Sequence, residues 1–105
     1  MNKAEKAVEI FRNPYSCAQA VAVAFKGELS QGELDELKAN SGGKAEGGIC
    51  GALYAACQIS NDKEGTCAEF EKRAGHIRCI DLKTKGRVSC DNCVRIASEI
   101  LADKS

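Results

Sequence analysis

The stretch from Gly42 to Cys57, GGKAEGGICGALYAAC, constrains this chain more than any other. Gly42, Gly43, Gly47 and Gly48 let the backbone take positive φ and approach other groups closely. No charged residue then occurs from Ile49 to Ser60. A helix that is apolar on most of its circumference has to be buried on most sides. Alanine is frequent and β-branched residues are few, which favours helix over strand. The expectation is a central helix from Ile49 through about Ile59, entered from a glycine-rich loop. Cys50 falls at the junction, where the unpaired N–H groups of a helix start point outward.

The remaining segments supply the helices that such a centre needs. Ala4, Ala7, Val8 and Phe11 follow i, i+3, i+4, i+7 spacing within residues 3–12, an amphipathic helix. Pro14 ends it or begins the next. Ser16 with Gln19 is a capping-box pattern, placing a second helix from about Cys17 to Lys26, with Gly27 to close it. Its sequence CAQAVAVAF is small and apolar almost throughout. Ser30 with Glu33 opens a short, exposed helix whose inner face is Leu34 and Leu37. Asn61 to Gly65 reads as a turn, and Thr66 with Glu69 as a further cap and box. Cys67 then sits at a helix start, with Phe70, Ala74 and Ile77 as the inner stripe and Gly75 interrupting the end. His76 to Leu82 is a short turn or helical piece holding Cys79, and Thr84 to Val88 a loop. Ser89 caps the last helix, with Cys90 first, Cys93 one turn on, and Val94, Ala97, Ile100 and Leu101 continuing that face. No period-two alternation appears. These signals predict an all-α fold, a compact bundle of about five or six short helices with a Gly-rich loop, forming one cysteine-rich domain over residues 1–105.

Charge and composition exclude several functions. The 15 basic and 15 acidic residues cancel and form no block of either sign. A nucleic-acid surface needs an excess of Lys and Arg, so nucleic acid is not an expected partner. With no Trp, two Tyr and three Phe, base stacking is poorly supplied as well. MNKAEKAVEIFRNP lacks the apolar run of a secretory signal and nothing later approaches a membrane span. The expectation is therefore a cytoplasmic protein without direct membrane insertion, in a reducing compartment where cysteines serve metals or redox chemistry rather than act as staples.

Seven cysteines are then the anomaly, and an odd count forbids full internal pairing. Cys17, Cys50, Cys67 and Cys90 are each expected within the first turn of a helix. There the positive end of the macrodipole and unpaired N–H groups favour a thiolate, the form that nucleophilic, redox and metal-binding cysteines use. Cys90-Asp91-Asn92-Cys93 adds a second thiol one turn from the first, a spacing that can close to a disulfide or hold one metal. Cys17, Cys50, Cys79 and Cys90 are the functional candidates. Cys57 on its Ala-rich face reads as packing, Cys67 beside Glu69 as a surface position, and Cys93 equally as packing or chemistry. His76 reads as a cap on carbonyls or a surface residue rather than a ligand. Cys93 is followed by Val94, so the covalent haem signature is absent, and no glycine loop ends in Lys-Ser/Thr as a P-loop does.

The order of these cysteines resembles the C-GCAxxG-C-C family, small bacterial and archaeal proteins to which a redox role is assigned. The matching pieces are Ser16-Cys17-Ala18-Gln19-Ala20, Gly48-Ile49-Cys50-Gly51-Ala52, Phe70 through Gly75 to Cys79 and Leu82, and Cys90 with Val94 and the helix beyond. They span roughly residues 13–101. The motif's closing glycine is Ala55 here, and Cys57, Cys67 and Cys93 stand outside the pattern. The resemblance implies a redox-active protein whose working thiols are Cys17, Cys50, Cys79 and Cys90. A related cysteine-rich helical module in split-Soret cytochromes looks like an iron–sulfur holder, which adds a cluster to the expectations.

Two chemistries follow for the same residues. In thiol–disulfide exchange, Cys90 or Cys50 attacks a partner disulfide and a neighbour such as Cys93 resolves the mixed species. In electron transfer, Cys17, Cys50, Cys79 and Cys90 hold an iron–sulfur cluster, with Cys93 as a spare ligand. Zinc held by the same four thiolates in a non-enzymatic module, or a helical interaction protein with structural cysteines, are the alternatives. The expected partner is a redox protein or a membrane-transport-associated protein.

Overall fold

The computed structural model describes residues 3–12, 15–27, 29–41 and 46–104. The glycine-rich loop at residues 42–45 and Pro14 lie outside them. Among the described residues there are seven α-helices and no strand. They are α1 (Lys3–Ile10), α2 (Cys17–Lys26), α3 (Gln31–Ala39), α4 (Gly51–Ser60), α5 (Lys63–Ala74), α6 (Cys79–Thr84) and α7 (Cys90–Lys104). The all-α expectation holds. The helix count is higher than five or six because the segment holding Cys79 is a helix in its own right.

Local capping explains most of the boundaries. Ser16 Oγ accepts from the Gln19 N–H and the Gln19 side chain accepts from the Ser16 N–H, the reciprocal arrangement that satisfies two donors at the start of α2. Ser30 and Glu33 do the same for α3. Gly75 takes a left-handed conformation at φ 92°, and its N–H bonds the Glu71 carbonyl to end α5. The start of α5 differs from expectation. Asp62, not Thr66, is the N-cap, accepting from the Gly65 N–H at 3.1 Å. The helix therefore begins a turn earlier, Cys67 is its fifth residue rather than a helix-start residue, and Thr66 is buried inside it.

Helix α4 is the centre of the bundle, packed against α2, α5 and α7, while α1 lies across α2 and α7. Its Ala52, Leu53, Ala55 and Ala56 are fully buried, as are Ala18, Ala20 and Val21 of α2 and Val94 and Ala97 of α7. Alanine on all three helices keeps the side-chain layer thin and lets the helices approach closely. An enlarged side chain here would cost about 1–3 kcal/mol in overpacking. Phe70, Leu82 and Ile100 are among the largest fully buried side chains of this core. Ala55, where the motif has a glycine, is one of these packing residues.

Candidate functional site

Tight α4–α2 packing and two backbone ties bring the helix starts together. The Cys50 N–H donates to the Ile77 carbonyl at 2.9 Å, and Ile49 and Arg78 form an antiparallel bridge. This tie sets Cys50, the N-cap of α4, beside Cys79, the first residue of α6. The turn after α6 is closed by Val88 N–H to the Leu82 carbonyl at 2.7 Å. That delivers Cys90, the first residue of α7, where Ser89 Oγ accepts from the Asn92 N–H at 3.2 Å. From the other side, Ser41 Oγ donates to Ser16 Oγ at 2.9 Å and holds the start of α2, whose first residue is Cys17.

Cys17, Cys50, Cys79, Cys90 and Cys93 consequently line one small cavity, together with Gly51, Leu82 and Lys83. Four of these cysteines occupy the first or capping position of a helix. The four candidates Cys17, Cys50, Cys79 and Cys90 are brought together, and with them Cys93, the expected resolving or spare thiol. Cys67 and Cys57 stand elsewhere, and His76 packs near Gly86 without lining the cavity. No disulfide joins any of the seven cysteines.

Gly51 is what allows this density. A Cβ built there would come within 2.6 Å of Cys17 Sγ and 2.8 Å of the Ser41 backbone. The Cys17 sulfur therefore rests on bare backbone at the first turn of α4. Any side chain at residue 51 displaces it.

The thiols are not equivalent. Cys50 is buried, yet its pKa is lowered from the ordinary 9.0 to about 7. The first cause is the hydrogen bond from the Cys93 thiol, which outweighs the cost of burying the anion; the Ala52 and Leu53 amides and the Lys83 charge add to it. Those amides face the sulfur without forming a cap hydrogen bond, so their effect is that of the helix-start field. The Cys93 thiol is pushed strongly upward, because it is the donor to Cys50 and is itself buried. The pair thus divides into one sulfur that ionises near neutrality and one that keeps its proton.

Lys83 escaped the sequence reading. Its ammonium is raised above its ordinary range, first by the charge of Cys90 and then of Cys79, with hydrogen bonds to both. It lies four residues after Cys79 on α6, so the i, i+4 relation was the available signal.

Five thiols are the right donors for a soft metal or an iron–sulfur cluster. Among the described residues no three His, Cys, Asp or Glu side chains are gathered closely enough to hold one ion. The cavity measures about 20 Å³, room for a single water. No helix among the described residues is long and apolar enough to cross a membrane. No family model, curated protein or solved structure matches the chain.

Proposed function

We propose that this is a redox-active protein that exchanges disulfides through Cys50 and Cys93. The observation that carries the reading is five thiols on one cavity, among which Cys50 ionises near pH 7 with Cys93 hydrogen-bonded to it. The resemblance to the C-GCAxxG-C-C family supports four of the five, Cys17, Cys50, Cys79 and Cys90. The Cys50 thiolate attacks one sulfur of a partner disulfide; that S–S bond breaks and the other partner sulfur leaves as thiolate. Cys93 then attacks the Cys50 sulfur, its proton passing to the second departing partner thiolate. The partner gains two electrons and the protein holds a Cys50–Cys93 disulfide. Lys83, beside Cys79 and Cys90, lines the same cavity and places there a positive charge that favours the departing partner thiolate.

The experiment is anaerobic purification followed by equilibration in thiol–disulfide buffers of graded potential, with thiol counting and disulfide mapping by mass spectrometry. The reading predicts a Cys50–Cys93 link that appears over a defined potential range and is abolished by Cys50→Ser but not by Cys67→Ser. Seven thiols at every potential would overturn it. Stoichiometric iron with sulfide, or stoichiometric zinc, lost in Cys50→Ser, would replace it with a metal-holding role for the same residues.

A further inference from the structure

Cys57 and Cys67 lie outside the site above, and their sulfurs are 3.8 Å apart. Cys57 stands seven residues after Cys50 on α4, about 10 Å along the helix axis. Neither Cys57 nor Cys67 lines the five-thiol cavity.

The contact is held by the joint between α4 and α5. Asn61 takes a left-handed conformation at φ 56° and its N–H bonds the Cys57 carbonyl at 3.1 Å. Asp62 caps α5 at once, so only Asn61 and Asp62 separate the two helices. Ser60 Oγ and Thr66 Oγ1 are hydrogen-bonded at 2.9 Å across the joint, and Thr66 is fully buried. This half-buried hydroxyl pair fixes the register in which residue 57 meets residue 67. The two sulfurs differ in access, because Cys57 is buried and Cys67 is half-exposed.

We propose that Cys57 and Cys67 are a second dithiol, which a low-molecular-weight disulfide oxidises to a disulfide across the α4–α5 hairpin. The accessible Cys67 sulfur, as thiolate, attacks one sulfur of the small disulfide; its S–S bond breaks and one small thiolate leaves. Cys57 then attacks the Cys67 sulfur of the mixed disulfide and expels the second. Two protein thiols lose two electrons and two protons, and the oxidant leaves as two small thiols. Burial pushes the Cys57 thiol up to about 12, the charge on Cys67 adding to it. Cys57 therefore suits the second, intramolecular step, in which high effective concentration compensates for a small anionic fraction.

The test uses the full chain and oxidised glutathione as the probe, with trypsin digestion and fragmentation. A link between the peptides of residues 45–63 and 64–72, placed at Cys57 and Cys67 by fragmentation, is expected. It should persist in Cys50→Ser and Cys93→Ala, which separates it from the exchange site. In Cys57→Ser the expected product is a lasting glutathione adduct on Cys67. A wild-type chain that carries only that adduct, keeps both thiols, or joins Cys67 to another cysteine would overturn the proposal.

Discussion

Replacing Cys93 by alanine removes the group that contributes most to lowering the Cys50 pKa, while leaving the Cys50 side chain in place. In the native protein Cys50 ionises at about 7 instead of 9.0. Loss of the Cys93 hydrogen bond leaves desolvation opposed only by the helix-start amides and Lys83, so the pKa returns toward 9.0. At pH 7 the thiolate fraction then falls from about one half to about 1%, roughly 50-fold. A more basic thiolate is also more nucleophilic, by roughly 6- to 10-fold over such a shift. The net expectation is alkylation of Cys50 slowed about five- to eightfold at pH 7, and accelerated above about pH 8.5. Iodoacetamide kinetics resolved by peptide mass spectrometry read this residue by residue. Cys93→Ser, which keeps a donor, should preserve most of the low-pH reactivity, and Lys83→Gln should shift the profile less than Cys93→Ala. Parallel profiles for the wild type and Cys93→Ala, without a crossing, would refute the assignment of Cys93 as the donor.

Gly51→Ala should cost about 1–3 kcal/mol in urea unfolding through overpacking against Cys17 and the Ser41 backbone, and should speed alkylation of Cys17; a stabilised variant would contradict the contact. Ser98 is fully buried and its hydroxyl has no hydrogen-bond partner among the described residues, so Ser98→Ala should leave stability unchanged or raise it by up to about 1–2 kcal/mol. Because the folded pKa of Cys50 is depressed, its contribution to stability is complete above pH 9 and is lost as pH falls through about 7. Cys50→Ala should therefore lower the slope of stability against pH between 7 and 9, by a total of about 2–3 kcal/mol, as measured by denaturant midpoints. Closing the Cys57–Cys67 disulfide should stabilise the protein by about 2–3 kcal/mol through the short loop it cross-links, seen as a higher melting temperature that a reductant reverses.

What the sequence made legible is what adjacent residues decide. The Ser16–Gln19 and Ser30–Glu33 pairs, three residues apart, are complete interactions within one turn, and they located α2 and α3. Thr66–Glu69 carries the same pattern but lost to Asp62, whose carboxylate reaches the Gly65 N–H and starts the helix one turn earlier. The hydroxyl of Thr66 is taken instead by Ser60. That change carried Cys67 away from a helix start and toward Cys57, a pairing that depends on the two-residue joint and so was invisible in composition or periodicity. The gathering of Cys17, Cys50 and Cys90 was inferable from their shared place at helix starts, whereas Cys79, expected only within a short turn or helical piece, proves to be the first residue of α6. Cys93 was expected as a resolving or spare thiol one turn from Cys90, but its meeting with Cys50, like the approach of Lys83 to Cys90, depends on how α6 and α7 meet the α4 terminus. The role of Gly51 as a seat for the Cys17 sulfur depends likewise on α2 and the Ser41 backbone arriving from distant sequence.

A short bifunctional reagent that bridges only neighbouring thiols, applied to the reduced, folded protein and mapped by mass spectrometry, tests the grouping of the sulfurs most directly. Bridges within the set Cys17, Cys50, Cys79, Cys90 and Cys93, and separately between Cys57 and Cys67, are the predicted products. Bridges that cross from one set to the other, such as Cys50 to Cys57, or none that include Cys50, would contradict it.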